Sequence, residues 1–535
     1  MDIANQLAEA VGAALQDLGV SPPAGVVVEP ATRPEHGDWY SNAALVAARS
    51  AGIPPRELAH RLAERLTARP PAHLREAQVA GPGFLNFFLH NSWLHEGLAE
   101  IVEAGEGGFA RPDLGRGERV QLEFVSANPT GPLHVGNGWL ASYGDSLARI
   151  MRRCGWSVWR EYYVNDTGGQ ILRLGQSLLA LKRGEPVPEE GYKGDYVREL
   201  AMEYEGPWDE TAAGRWAAGR VLSHIGSTLQ RIGVEFDEWF SQASIEEGGA
   251  VEETIKLLED KGLIYRSEGA VWLRTTAYGD SRDRVLVKSD GTYTYLAGDL
   301  AYHRDKFLGR GFDRVIDVFG ADHHGQVASL KAAVAALGVE PDRLEVRLGQ
   351  MVSLAEGRMS KRAGNFVSLD SLIDDIGPDA VRLLSLMNSI DQATTLDLEL
   401  VRSQSMENPV FYVQYAHARI ASIERFRQEK RVDRLPLDQV DLGLLAHERE
   451  LELLRCLVAM PEALERACLD RAPHKLTGWV RRLAGCFHGF YHDCYVLGES
   501  VPPELTQARL WLVEGTRIAL AVALELLGVQ APEAM

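Results

Sequence analysis

The chain is 535 residues long, 45% hydrophobic and 24% charged, the profile of an ordinary soluble protein with apolar material for several domain cores. Its five cysteines, Cys154, Cys456, Cys468, Cys486 and Cys494, form no CxxC pair, which speaks against a zinc knuckle or a disulfide framework, and no apolar run approaches the ~18 residues of a membrane span. A net charge of −19 excludes indiscriminate nucleic-acid binding, which needs clustered Lys and Arg.

The amino terminus reads as an amphipathic helix with its stripe at Ile3, Leu7, Val11, Leu15 and Leu18. Its acidic residues are unlike a signal peptide, so a cytoplasmic protein is expected. Residues 1–90 also contain His36-Gly37-Asp38-Trp39 and the apolar run GPGFLNFF from Gly81 to Phe88, and predict a small α+β unit. Glu106 to Glu118, rich in Gly, Pro and charge, predicts a joint. From 118 to 400, strand-like runs alternate with helical ones: Val120 to Val125, Ser157 to Val164, Ala270 to Arg274, Arg284 to Lys288, Arg314 to Phe319 and Leu344 to Leu348. That alternation predicts a doubly wound parallel sheet with insertions. Residues 401–535 lack strand alternation and predict an α-helical bundle, with helices over Asn408 to Arg427 and Leu444 to Met460. With 16 basic and 18 acidic residues, this last block is the least acidic part and the better place for a polyanion contact.

Two stretches carry chemistry. Between the Val120 to Val125 strand and a helix over Gly136 to Arg153 lies Asn128-Pro129-Thr130-Gly131-Pro132-Leu133-His134-Val135-Gly136-Asn137. A tight loop feeding a helix N-terminus offers unpaired N–H groups and partial positive charge, so it favours a phosphate. His134 just ahead of that helix can donate to a phosphoryl oxygen. The second stretch, Gly357 to Asn365, holds Arg358, Met359, Ser360, Lys361 and Arg362 between flexible glycines. Taken alone it is a solvated basic loop. Paired with the first it suits a triphosphate, with Lys361 as a compact charge that follows pyrophosphate and Arg358 as a fork of donors.

These loops resemble the HIGH and KMSKS signatures of class I aminoacyl-tRNA synthetases, and by themselves specify that class or a related nucleotidyltransferase. Longer segments, SANPTGPLHVGN, REYYVNDTGGQI, GDSRDRVLVKSDGTYTYLAGDLAYHRDKF, GADHHGQ, RMSKRAGNFVSL, NPVFYVQYAHARI and the closing APEAM, are similar to arginyl-tRNA synthetases. With HGDW and GPGFLNFF, the resemblance spans essentially the whole chain. It implies a Rossmann-like class I catalytic domain over 118–400, a small α+β tRNA-contacting domain over 1–90 and an all-α anticodon-binding bundle over 401–535.

The implied reaction joins arginine to tRNA(Arg) through an arginyl-adenylate, using ATP with Mg²⁺ carried by the nucleotide and no structural metal, in a protein that is usually monomeric. Implied catalytic residues are His134, Asn137, Arg358 and Lys361; Pro129, Gly136, Met359 and Ser360 join His134, Asn137 and Lys361 around ATP. Glu123, Ser126, Asn128, Tyr295, Asp299 and His323 are the implied arginine-binding set. Tyr295 and Asp299 stand four apart, on one face if helical. His323 and His324 are adjacent and cannot both face the pocket. Asn165, Asp166 and Gln170 are weaker candidates for its wall. Implied tRNA contacts are Tyr412, Gln414, Tyr415 and Arg419, then Arg425, Arg427, Lys430, Arg431 and Arg434, a cluster that intervening acids also make compatible with a solvated face.

Three positions depart from the family pattern. Asn137 replaces the second histidine of HIGH, where it can still donate a neutral hydrogen bond, and Arg358 replaces the first lysine of KMSKS while keeping its charge. Trp139 stands where the family often has Arg; it either packs under the helix or alters how the site holds substrate.

Overall fold

The computed structural model of the chain describes residues 3–23, 25–31, 33–354, 367–403 and 405–534. Its internal contacts divide it into two compact units. One comprises Met1–Phe109, Ile420–Ala459 and Gly485–Ala519, the other Ala110–Arg419, Met460–Ala484 and Leu520–Met535. The helical C-terminal stretch thus contributes to both.

In the first unit, strands Val28–Pro30, Trp39–Ser41, Phe84–Leu89 and Leu74–Ala80 form an antiparallel sheet in that order. Helix Ile3–Asp17 buries Ile3, Leu7, Val11 and Leu15 of the expected stripe, together with Ala14, and ends before the half-buried Leu18. The HGDW turn depends on Gly37: its φ is +82°, and an added Cβ would lie 2.5 Å from the Phe87 carbonyl oxygen. Asp38 then accepts the Leu89 N–H at 2.8 Å, tying the turn to the strand. The helix expected from Leu444 to Met460 begins later, at Glu448, because His447 and Glu450 form a capping box there.

The second unit is built on a five-stranded sheet in the order Leu344–Gly349, Arg314–Gly320, Arg119–Glu123, Ser157–Val164, Glu238–Ser241, every pairing parallel. Arg119–Glu123 is central, and Val120, Gln121, Leu122 and Phe124 are all 0% exposed, as a strand covered on both faces must be. The chain leaves this strand first to one side and later returns on the other. The order therefore reverses at Arg119–Glu123, and the carboxyl ends of strands at such a reversal are where doubly wound sheets take their ligands.

Two strands expected in this sheet lie elsewhere. Ala270–Leu273 and Arg284–Val287 pair antiparallel in a separate three-stranded sheet with Ile264–Ser267. The reason is the Glu268-Gly269 turn, whose φ values of +53° and +78° close a two-residue hairpin, and a hairpin joins only antiparallel neighbours. Helix Ser92–Gly108 runs into the first residues of the Glu106 to Glu118 stretch, and the boundary between units falls within it, after Phe109.

Candidate active site

At the end of the central strand the backbone takes a sharp turn. Val125 and Ser126 have φ of +71° and +35°, a conformation that costs a β-branched residue ~1–3 kcal/mol. The turn folds Ser126 back, so that its hydroxyl donates to Glu123 Oε1 at 3.0 Å and accepts the Tyr163 N–H at 3.1 Å. The chain then enters helix Val135–Arg153. His134 is its N-cap: Nδ1 accepts the Asn137 N–H at 3.2 Å, while Asn137 Oδ1 accepts the His134 N–H at 3.1 Å. An accepting Nδ1 must carry a lone pair, so the neutral imidazole bears its proton on Nε2. Gly136 makes room for that ring, since an added Cβ would stand 3.1 Å from His134 Cε1. His134 also forms a β-bridge with Ser368, and Leu369 N–H donates to the Leu133 carbonyl at 2.8 Å. The chain immediately following the Arg358 to Asn365 stretch is therefore pinned to the first loop.

One face of the sheet carries a row of acids. Asp317, Glu123 and Glu161 are directly adjacent in register across three parallel strands, and each is buried. Like charges so placed repel, so the row needs cations. Helix Tyr295–Arg304 and the π-helical turn Asp305–Gly309 supply them. Lys306, 0% exposed, reaches Glu123 Oε2 and Asp317 Oδ1, each at 2.8 Å. His303 bridges the Asp299 carbonyl at 2.7 Å and Asp317 Oδ2 at 2.8 Å; with an acceptor at each nitrogen, both must carry protons. Arg310 grips Glu161 with Nη2 at 2.9 Å from Oε1, and the Tyr302 hydroxyl donates to the same carboxylate.

Burial raises every carboxyl in this group, and the cations decide which stay ionised. Glu123 remains above the usual carboxylate range through burial, with Lys306 opposing and Asp317 repelling. Asp317 is pulled below that range because Lys306 and His303 together outweigh its burial. Glu161 is likewise lowered against burial by Arg310, Lys306 and Tyr302. Asp299 is pushed up to about 6 by burial, with Glu123 and Asp317 repelling and His303 and Lys306 opposing. It is the acid of the group left without a cation: among the described residues its carboxylate has no hydrogen-bond partner.

The expected arginine-binding residues divide by whether their polar groups are already used. Tyr295 and Asp299 do share one helix, four residues apart, with Tyr295 80% exposed. The half-buried amide of Asn128 also has no hydrogen-bond partner among the described residues. Glu123 differs: it is 4% exposed and both its oxygens are engaged, so it charges the pocket floor rather than offering a free carboxylate. His323 and His324 are both exposed, and the His323 ring packs 5.3 Å from Phe319. Asp166 is spent holding the Ser241 hydroxyl and the Ala243 N–H.

Around the expected ATP site, Pro129 is buried and Gly136 half-buried. Asn137, expected as a donor to ATP, is 7% exposed; its side-chain oxygen and backbone N–H serve the cap of its own helix, while its side-chain N–H donors have no partner among the described residues. It therefore holds His134 in addition to the role expected of it. Trp139 is 9% exposed and lines a small cavity together with Tyr143, Gly349, Val352 and Ile390. Arg358, Met359, Ser360 and Lys361 lie outside the described residues.

Sequence reasoning missed Glu161, Tyr163, Tyr302, His303, Lys306 and Asp317. A signal was present. Asp299, Tyr302, His303 and Lys306 fall at i, i+3, i+4 and i+7, a polar stripe on one helix face, and Asp317 is a lone acid in the apolar run RVIDVFG.

On helix Pro409–Glu429, Phe411 stacks on Tyr415 at 5.3 Å and the Arg419 guanidinium lies 4.3 Å from the Tyr415 ring centre. Tyr412, Tyr415 and Arg419 are half-buried. Gln414, expected to contact tRNA, instead donates to Asp379 Oδ2 at 2.8 Å and to the Gln530 carbonyl at 3.3 Å. Among the described residues no helix is long and apolar enough to cross a membrane, and no group of three His, Cys, Asp or Glu side chains is placed to hold a metal ion.

Family models match along the chain. The arginyl-tRNA synthetase N-terminal domain matches 5–89, the class I (R) tRNA synthetase catalytic domain 216–423 and the DALR anticodon binding domain 413–535. An arginine–tRNA ligase of Carboxydothermus hydrogenoformans is 44% identical over 94% of this chain and 92% of its own length. Another, from Frankia alni, is 45% identical over 100% of this chain and 99% of its own. The Thermus thermophilus arginyl-tRNA synthetase structure, 24% identical, shares the fold over 99% of this chain and 100% of that one with a TM-score of 0.81. On its site, its fold and this near full-length identity, the chain belongs to the arginyl-tRNA synthetase family.

Proposed function

We propose that the carboxyl end of the Arg119–Glu123 strand is where this chain activates arginine with ATP and passes it to tRNA(Arg). The observation that carries this reading is Asp299, a carboxylate with no hydrogen-bond partner among the described residues, near Glu123 on the central strand whose carboxyl end feeds the capped helix N-terminus that suits phosphate. The guanidinium of arginine supplies the cation Asp299 lacks, in a bidentate pair. Asn128 is free to bind the α-ammonium or carboxylate. The arginine carboxylate attacks the α-phosphorus, pyrophosphate leaves, and the arginyl group then moves to a hydroxyl of the terminal adenosine.

No protein nucleophile is needed. His134, with its proton on Nε2, would donate to the phosphoryl group, and Lys361 would supply charge to the departing pyrophosphate. Mg²⁺ would enter as the counter-ion of the triphosphate, whose oxygens suit it. Tyr412, Tyr415 and Arg419, an aromatic pair with a stacked guanidinium, suit unstacked anticodon-loop bases. We read the protein as cytoplasmic and monomeric.

Arginine-dependent ATP–pyrophosphate exchange, measured with and without tRNA(Arg), tests the reading. Exchange that needs tRNA supports it. Equal exchange without tRNA favours a small-acid ligase, and none under either condition favours an RNA or arginine binder.

A further inference from the structure

Tyr163 stands two residues beyond Glu161 on the same strand, so the pleat turns its side chain to the face that carries Asp317, Glu123 and Glu161. Its ring is fixed there. Tyr302 packs against it at 4.7 Å and Phe240 at 6.4 Å and 14°, while the Ser126 hydroxyl holds its N–H. Neighbouring tyrosines use their hydroxyls structurally: Tyr162 donates to the Ala127 carbonyl and Tyr196 to that of Thr130, both at 2.8 Å, and Tyr302 donates to Glu161. The Tyr163 hydroxyl has no hydrogen-bond partner among the described residues, although a half-buried phenol normally has one.

The charges that act on it most strongly are anionic. Burial, then Asp299, Glu123, Glu246 and Asp166, keep this phenol protonated far above its ordinary range. Three of those acids are committed elsewhere, Glu123 to Lys306, Glu246 to Gln242 and Asp166 to Ser241, which leaves Asp299. Across the sheet face, the carboxylates Asp317, Glu123, Glu161 and Asp299 outnumber the cations Lys306, His303 and Arg310, the last of which is also shared with Asp305 and Glu238. A cationic guest relieves this excess of negative charge, and a neutral phenol oxygen offers it lone pairs without adding charge.

We propose that the Tyr163 hydroxyl is a specificity-determining acceptor for the substrate guanidinium, acting beside Asp299 over the half-buried rings of Tyr163 and Phe240, which the buried Tyr302 supports. The inference rests on the arginine reading of this site. A guanidinium is flat and carries five N–H donors, so it can fork onto Asp299, donate again to Tyr163 and lie against a ring. An ammonium has no flat face to lay on those rings. A ureido group is neutral, leaves the excess anion unbalanced and turns a carbonyl towards Asp299.

Tyr163→Phe keeps the ring and removes a hydroxyl that holds nothing in the fold, so the melting midpoint stays at the wild-type value. In exchange assays with tRNA(Arg), the variant should raise the arginine KM ~10-fold, the size of a lost hydrogen bond to a charged group, with kcat and the ATP KM within about twofold. An arginine KM within about twofold of wild type overturns the role of Tyr163, as does an equal rise in the ATP KM, which marks general loosening. A wild-type protein without arginine-dependent exchange overturns the arginine reading itself, and the two failures are thereby distinguished.

Discussion

His134 and Asn137 cap one another: the Asn137 amide oxygen takes the His134 N–H at 3.1 Å, and the His134 imidazole takes the Asn137 N–H at 3.2 Å. The residue that departs from the HIGH pattern is thereby the one that fixes the histidine. Asn137→Ala should cost about 1 kcal/mol of stability, the usual worth of a capping partner, and lower kcat for exchange while leaving the arginine KM unchanged. Chemical denaturation and steady-state kinetics on the same preparation check this. A stable variant with wild-type kcat would show that the cap does not set the imidazole.

His134→Ala and Lys361→Ala test the phosphate side directly. Each is expected to slow adenylate formation by about 3 kcal/mol of barrier, roughly a hundredfold, with an unchanged circular-dichroism spectrum. Near wild-type exchange in either variant refutes that residue's role.

Asp299 makes the site sensitive to pH. An aspartate in an unfolded chain titrates near 3.9, whereas Asp299 is pushed up to about 6. Below about pH 4 it is protonated in both states and contributes no difference. As pH rises from there through 6, the folded protein retains a proton that the unfolded chain has released, so this group lowers stability over that window. Arginine binds the ionised form, so its KM should climb as pH falls below 6, and saturating arginine should offset the stability loss above it. Arginine titrations from pH 5 to 8 should show this slope in the wild type. Asp299→Asn should bind arginine weakly and without the slope.

Lys306 is the cation on which the buried row depends, bonded to Glu123 and Asp317 and lying 4.1 Å from the Tyr302 ring centre. Lys306→Met should destabilise the protein by about 3–5 kcal/mol, because it leaves buried carboxylates uncompensated. Adding Asp317→Asn to Lys306→Met should recover part of the loss, since the two costs share one cause. Denaturant midpoints of the two single variants and the double variant decide this, and simple additivity would count against the coupling.

Gln414 should behave as a structural residue. Its bonds to Asp379 and the Gln530 carbonyl lie within the fold, so Gln414→Ala should lower stability by about 1 kcal/mol and leave the tRNA KM near wild type. A tenfold rise in that KM would return Gln414 to the RNA-binding surface.

Much of this protein was legible in its residues. The strands at Val120 and Ser157, the helix between them and the loop that ends in His134 follow from periodicity, glycine and a polar cap, all local preferences of the chain. Tyr295 and Asp299, singled out by resemblance, do lie on one helix at the spacing that sets them on one face. What neighbours in sequence cannot reveal is partnership across the fold. That the Asn137 oxygen holds the His134 backbone, and that Lys306 lies against the Glu123 carboxylate, is visible only in the fold. The register of three parallel strands, separated by long crossovers, sets Asp317, Glu123 and Glu161 side by side, and only their mutual repulsion explains why a buried lysine, a doubly protonated histidine and an arginine face them. Local sequence fixes which residues are strands and helices; the charge that the site lacks, and hence the cation it is built to take, emerges only when those elements are packed in low dielectric.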